Sequence, residues 1–213
     1  MKHIHLPSVP LRYMQMRPGT FEPATAKQRA NVEKLRRAIT EDDLLLDGGA
    51  VFFCGAPGRG KTHLAVETLY RGAENDAPID DEDEATFYAR EYVFMRWLDL
   101  AREADERTRG APLLKKALGA WLLLLDDLLP AETAAQSRCL LELIDGRYVA
   151  QRGGLLVTTN LAPIELFASS DGRSVSALGS REISRLLHRS LVLTFDGKDR
   201  RLHPATKSER DEA

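Results

Sequence analysis

The sequence has little of several things, and each shortage narrows what the protein can be. Only two cysteines occur in 213 residues, Cys54 and Cys139, both in apolar surroundings. Neither a disulfide framework nor a set of zinc ligands can be built from two, which points to a reducing compartment. No long apolar run is present. The opening "MKHIHLPSVPLRYMQ" lacks the core of a signal peptide, and the most apolar stretch, "WLLLL" at Trp121–Leu125, is too short to span a bilayer. The expectation is a cytoplasmic protein without a membrane segment. Charge of one sign is also lacking: 30 basic against 32 acidic side chains leave a formal net charge of -2, so the protein as a whole is no obvious polyanion binder.

What is present alternates. After a Pro-punctuated N-terminal arm (residues 1–24), a helix is expected over Thr25–Thr40, where Val32, Leu35, Ala38 and Ile39 recur at helical spacing. "AVFFC" (Ala50–Cys54) reads as a strand buried on both faces, and "KTHLAVETLY" as a helix. The acidic stretch "AENDAPIDDEDEA" (Ala73–Ala85) has no apolar period and reads as a solvated loop. "TFYA" (Thr86–Ala89) is expected as a second strand, followed by a helix over Glu91–Arg107 and a short one at "GAPLLKKAL". "WLLLLDD" and "GGLLVTTN" read as strands flanking a long helix, Glu132–Gln151. A helix over Gly179–Arg189 and the strand "SLVLTF" complete a core spanning 25–198, with a polar tail at 199–213. Short apolar strands alternating with helices imply an α/β domain: a mainly parallel sheet with helices on both faces.

The chemistry is concentrated in "GAPGRGKTH". Gly55, Ala56, Pro57, Gly58, Arg59, Gly60, Lys61 and Thr62 satisfy G-x-x-x-x-G-K-[ST] between a strand and a helix, the context in which the motif cradles phosphates. Glycines let backbone N–H groups converge on an anion, and the helix N-terminus adds its positive dipole end. Lys61 would reach the outer phosphates of ATP and the Thr62 hydroxyl would ligate Mg²⁺; His63 follows on the first turn and is expected to pack there. A carboxylate at the end of a second buried strand should complete the metal site, and "LLLLDD" supplies Asp126, with Asp127 placed to act on the attacking water. Thr159 and Asn160, ending "LLVTTN", are candidates to bind the terminal phosphate or position that water.

In order and spacing, "GAPGRGKTHLA", "LLLLDDL", "VTTNL" and "LGSREISRLLHRSLVLTFDGKDRR" resemble AAA+ ATPases of the DnaC/IstB type, over about residues 7–201. The resemblance implies a P-loop NTPase of three α/β/α layers around a five-stranded sheet, with the Asn-bearing strand between the strands of Gly55 and Asp126 and no C-terminal helical lid. It implies Asn160 as a polar sensor of the terminal phosphate. Arg185, with Arg181 as the runner-up, would be the arginine presented to ATP in a neighbouring copy. It implies ATP and Mg²⁺ as cofactors, self-association across the nucleotide, and loading or remodelling of a replicative helicase on single-stranded DNA. A transposition helper forming filaments on target DNA for a transposase, and a nucleotide switch with negligible turnover, are the alternatives. For DNA, the resemblance directs attention to Arg96, Arg102, Arg107, Arg109, Lys115 and Lys116, interleaved with Tyr92, Phe94 and Trp97; intrahelical pairs such as Glu103–Arg107 explain much of that charge without DNA.

Overall fold

A computed structural model describes residues 4–40, 44–45, 48–76, 90–150, 153–167, 184 and 187–202. Five strands form one sheet in the order β2-β3-β4-β1-β5. They are β1 (Ala50–Cys54), β2 (Tyr92–Arg96), β3 (Leu122–Asp126), β4 (Leu155–Thr159) and β5 (Ser190–Thr194), and every neighbouring pair is parallel. Strands β1, β3 and β4 are buried along their whole length, which is why they read as unbroken apolar runs and not as alternating ones. The Asn160-bearing strand does lie between those of Gly55 and Asp126.

The pleat sends alternate residues to two separate cores. One face carries Phe52, Val93, Met95, Leu123, Leu125 and Val157 against helices α3 (Trp97–Glu106), α4 (Pro112–Gly119) and α5 (Ala134–Ala150). The other carries Val51, Phe53, Phe94, Leu124, Leu156 and Leu193 against α1 (Ala26–Thr40) and α2 (Lys61–Asn75). A short helix, α6 (Pro163–Phe167), follows β4. Among the described residues no helix follows β5, and none is long and apolar enough to cross a membrane. Two helices start on the same local device. At Thr25-Ala-Lys-Gln28 and Thr133-Ala-Ala-Gln136, the Thr hydroxyl accepts the N–H three residues on, while the Gln side chain accepts one from the residue preceding the Thr.

Two features correct the expectations. Among the described residues the second strand is Tyr92–Arg96, inside the stretch read as helix, and that helix begins six residues late, at Trp97. No glycine or proline separates them: Arg96 keeps extended angles (φ -85°, ψ 139°) and the next residue is already helical. "TFYA" and the helix expected over Gly179–Arg189 lie outside the described residues, save for parts of the latter. The N-terminal segment, read as an extended arm, packs against the core over its described residues. Leu6, Val9 and Phe21 are buried, and a 3-10 turn forms at Leu11–Tyr13.

A single buried cation locks the far side of the sheet. Arg147 of α5 donates to the carbonyls of Ala117 (2.9 Å), Ala120 (2.9 Å), Trp121 (3.3 Å) and Gly154 (2.6 Å), joining α5 to the starts of β3 and β4. Burial pushes its guanidinium down to about 10, still charged at neutral pH. Arg147→Met should leave these carbonyls without their donor at a cost of about 3 kcal/mol. Urea denaturation should register this as a lower midpoint with an unchanged slope; an unaltered midpoint would show that water replaces the guanidinium at no cost.

Candidate functional site

The C-terminal ends of the parallel strands open into a cleft of about 810 Å³. The turn after β1 forms its floor. Gly55, Gly58 and Gly60 have φ of 133°, 73° and 93°, the left-handed region, and the chain there folds back so that α2 starts at Lys61. All three are also closely packed: a Cβ on Gly55 would come within 2.4 Å of the Phe195 carbonyl, one on Gly58 within 1.7 Å of the Asp199 carboxylate, and one on Gly60 within 2.6 Å of the Phe21 ring.

The first two residues of α2 then reach across to other strands. Lys61 Nζ donates to the carbonyls of Gly55 (2.6 Å) and Ala56 (2.9 Å) and to Asn160 Oδ1 (2.9 Å) at the end of β4. Thr62 Oγ1 donates to Asp126 Oδ1 (2.9 Å) at the end of β3. Burial pushes the Lys61 ammonium below the ordinary lysine value, with Asp127 and Asp126 pulling the other way. Pro57, Gly58, Gly60, Lys61, Thr62, His63, Asp126, Asp127 and Asn160 all line the cleft. Ala56 contributes only the carbonyl named above, and Arg59 a carbonyl that accepts from Gln28 Nε2 at 3.4 Å. His63 Nε2 lies 2.8 Å from Thr20 Oγ1 and its ring stands edge-on to Phe21, so it is a packing residue at the cleft's rim.

Thr159, a candidate from the sequence, points elsewhere: its hydroxyl accepts the Leu161 N–H. Thr158 takes its place. Its hydroxyl donates to Asp126 Oδ1 (2.7 Å) and accepts the Asp127 N–H (2.8 Å), holding Asp127 at φ 57°. Strand alternation is the available signal, since Thr158 and not Thr159 shares a face with Asn160. Arg181 and Arg185 lie outside the described residues.

Asp126 is buried, and burial raises its carboxyl above the ordinary aspartate value despite the two hydroxyl bonds. Among the described residues no cluster of three or more His, Cys, Asp or Glu side chains could enclose a metal. A hydroxyl and a carboxylate in mutual contact, both oxygen donors, instead suit a hard cation that keeps much of its water, as Mg²⁺ does. Burial pushes both thiols, Cys54 and Cys139, up to about 11, so neither is a nucleophile at neutral pH.

No protein-family model and no curated protein sequence matches the chain, but solved structures do. The DnaC helicase loader is similar at a TM-score of 0.63 and 21% identity, over 88% of this chain and 100% of that one. DnaI is similar at 0.65 and 15%, over 90% and 94%. The fold is that of the DnaC and DnaI structures. AMPPCP-bound DnaA from Aquifex aeolicus shares it at 0.54 and 17% identity, over 83% of this chain and 49% of that one. The aromatic residues considered for base stacking are not available: Tyr92, Phe94 and Trp97 are all buried. Glu103 does not serve Arg107 either; it is buried and caps α4 by accepting the N–H groups of Leu113 and Leu114. Arg102, Arg107, Arg109, Lys115 and Lys116 remain exposed, and Arg96 is paired with Asp99 at 2.6 Å.

The raised Asp126 carboxyl has a consequence for stability. An unfolded aspartate ionises near 3.8, the folded one higher, so stability falls as pH rises between the two values and the cost is fully present above them. Asp126→Asn keeps an oxygen to accept both hydroxyls without the buried charge. Its melting temperature at pH 7 should equal or exceed that of the parent, the advantage disappearing below about pH 4. A marked loss of stability at pH 7 would show that the buried charge is not costly there.

Proposed function

We propose that this protein is a Mg²⁺-dependent ATPase that uses nucleotide binding and hydrolysis to load or remodel a replicative helicase on single-stranded DNA. The observation that carries the reading is the convergence of Lys61, Thr62, Asp126 and Asn160 from three adjacent strand ends into one cleft. The amides of the Gly55–Thr62 turn and the N-terminus of α2 would hold the phosphates, with Lys61 exchanging its carbonyl partners for phosphate oxygens. Thr62 and Asp126 would hold Mg²⁺, which when bound neutralises charge on the outer phosphates. Released from Lys61, the Asn160 amide can orient a water beside Asp127, which accepts its proton as the water oxygen bonds to phosphorus and ADP departs.

The partner side of the proposal rests on similarity. One structural neighbour is a helicase loader, and another is a replication initiator bound to AMPPCP and single-stranded DNA. The exposed cations of α3, α4 and the link between them offer phosphate contacts for such a strand, without stacking aromatics. Arg185 enters by sequence resemblance alone, as the arginine that a neighbouring copy presents to the transferring phosphoryl group. A cytoplasmic setting fits all of this.

ATP turnover measured against protein concentration tests the composite site. Turnover per chain should rise with concentration and with single-stranded DNA. Lys61→Ala should abolish ATP binding. Arg185→Ala should bind ATP normally but lose about 10³-fold or more in rate. Turnover independent of both concentration and Arg185 would leave a monomeric nucleotide switch.

A further inference from the structure

Two walls of the cleft come from outside the strand-end machinery. The first is the N-terminal segment. Ser8 Oγ pins it to the edge of β2, donating to the Tyr92 carbonyl (3.3 Å) and accepting the Phe94 N–H (2.9 Å). Further along, Arg17 donates to the Ile4 (2.7 Å) and Met14 (3.0 Å) carbonyls and lies 3.9 Å over the Tyr70 ring. Glu67 of α2 then accepts the N–H groups of Gly19 (2.8 Å) and Phe21 (2.9 Å). Between these anchors the 3-10 turn carries Arg12 and Tyr13 into the lining of the cleft, Arg12 lying 4.5 Å over the Tyr13 ring and Tyr13 packing on Phe94.

The second wall is the turn after β5. The Arg200 backbone N–H donates to the Gly58 carbonyl (2.9 Å), and Asp199 Oδ1 accepts the Arg201 N–H (2.8 Å), so this turn is clamped to the phosphate loop itself. The Arg200 side chain is occupied with the Glu22 carbonyl and Gln28 Oε1. Arg201, its neighbour, lines the cleft.

Arg12 and Arg201 are exposed, and neither has a carboxylate partner among the described residues. The other two lining arginines are different: Asp99 neutralises Arg96, and Arg200 is held by the Glu22 carbonyl and Gln28 Oε1. The unpaired pair lies within Coulomb reach of the reacting end. Arg12 acts on Asp126, Arg201 acts on Lys61, and both act on the Tyr13 hydroxyl. Arg201 and Lys61 line the same cleft as like charges, an arrangement that an anion bound between them would relieve.

We propose that Arg12 and Arg201 bind the terminal phosphate of the nucleotide from within the same chain, and that they make the cleft prefer a triphosphate to a diphosphate. The inference rests on the nucleotide-binding reading above and adds residues to it. Because Arg12 rides on a segment anchored to β2 and α2, loss of the terminal phosphate is also transmitted to the N-terminal segment.

The test is titration of fluorescent ATP and ADP analogues, with Mg²⁺, into the full chain and its variants. Arg12→Ala and Arg201→Ala should each weaken ATP about tenfold or more while changing ADP by less than about threefold, the loss expected for one charge-assisted bond to phosphate. Arg12→Lys should recover part of the loss. Arg96→Ala, removing an already neutralised charge from the same cleft, should leave the ATP-to-ADP ratio unchanged. Equal losses for the two nucleotides, no loss, or an equal effect of Arg96→Ala would overturn the proposal. Lys61→Ala separates the two levels: if it loses both nucleotides while the arginine variants behave as the parent, only the clamp fails. If the parent binds neither nucleotide, the nucleotide reading fails and the clamp with it.

Discussion

The first turn of α2 makes two side-chain hydrogen bonds, Lys61 to Asn160 and Thr62 to Asp126, and the shape of the cleft depends on them. They tie the exit of β1 to the exits of β4 and β3, which a parallel sheet in the order β2-β3-β4-β1-β5 brings side by side at one edge. Both bonds involve groups for which burial is costly: the ammonium of Lys61 is pushed down and the carboxyl of Asp126 pushed up. A core selected only for stability would not place them there. Thr158 adds the third link, bonding Asp126 and turning Asp127 outward in a backbone conformation that few residues other than Gly, Asn and Asp adopt readily.

Around this centre, the Gly55–Thr62 loop is braced from behind by residues far away in sequence. Gln28, almost fully buried, donates to the Asp196 and Arg59 carbonyls and accepts from Ala24 and Arg200. Thr25 bonds the Asp196 carboxylate. The segments before α1 and after β5 are therefore joined to each other and to the loop.

How much of this is legible in the sequence depends on the strength of local signals. Ala50–Cys54 is legible to the residue, because a strand buried on both faces leaves an unbroken apolar run ended by a glycine. The Gly55–Thr62 turn, Asp126 and Asn160 stand out in the sequence as particular residue types at fixed places, and the fold brings Lys61, Thr62, Asp126 and Asn160 into one cleft. Tyr92–Arg96 hides in a helical pattern: strand passes directly into helix at Arg96–Trp97 with no turn residue to mark the boundary, and the apolar residues of both fit a helical period. Thr158 and Thr159 look alike as residue types, and only strand alternation distinguishes them. Arg12 and Tyr13 carry no motif at all, and Arg201, though it ends the stretch "TFDGKDRR", has nothing in the sequence to join it to Arg12; only the folded chain brings them to the same cleft.

Everything proposed above requires this cleft to hold a nucleotide together with a divalent cation. Isothermal titration calorimetry of ATP into the protein, with Mg²⁺ and again with EDTA, tests that requirement most directly. Saturable binding of one ATP per chain is expected, weakening markedly when the cation is removed. Absence of binding, or binding indifferent to both EDTA and Asp126→Asn, would contradict it.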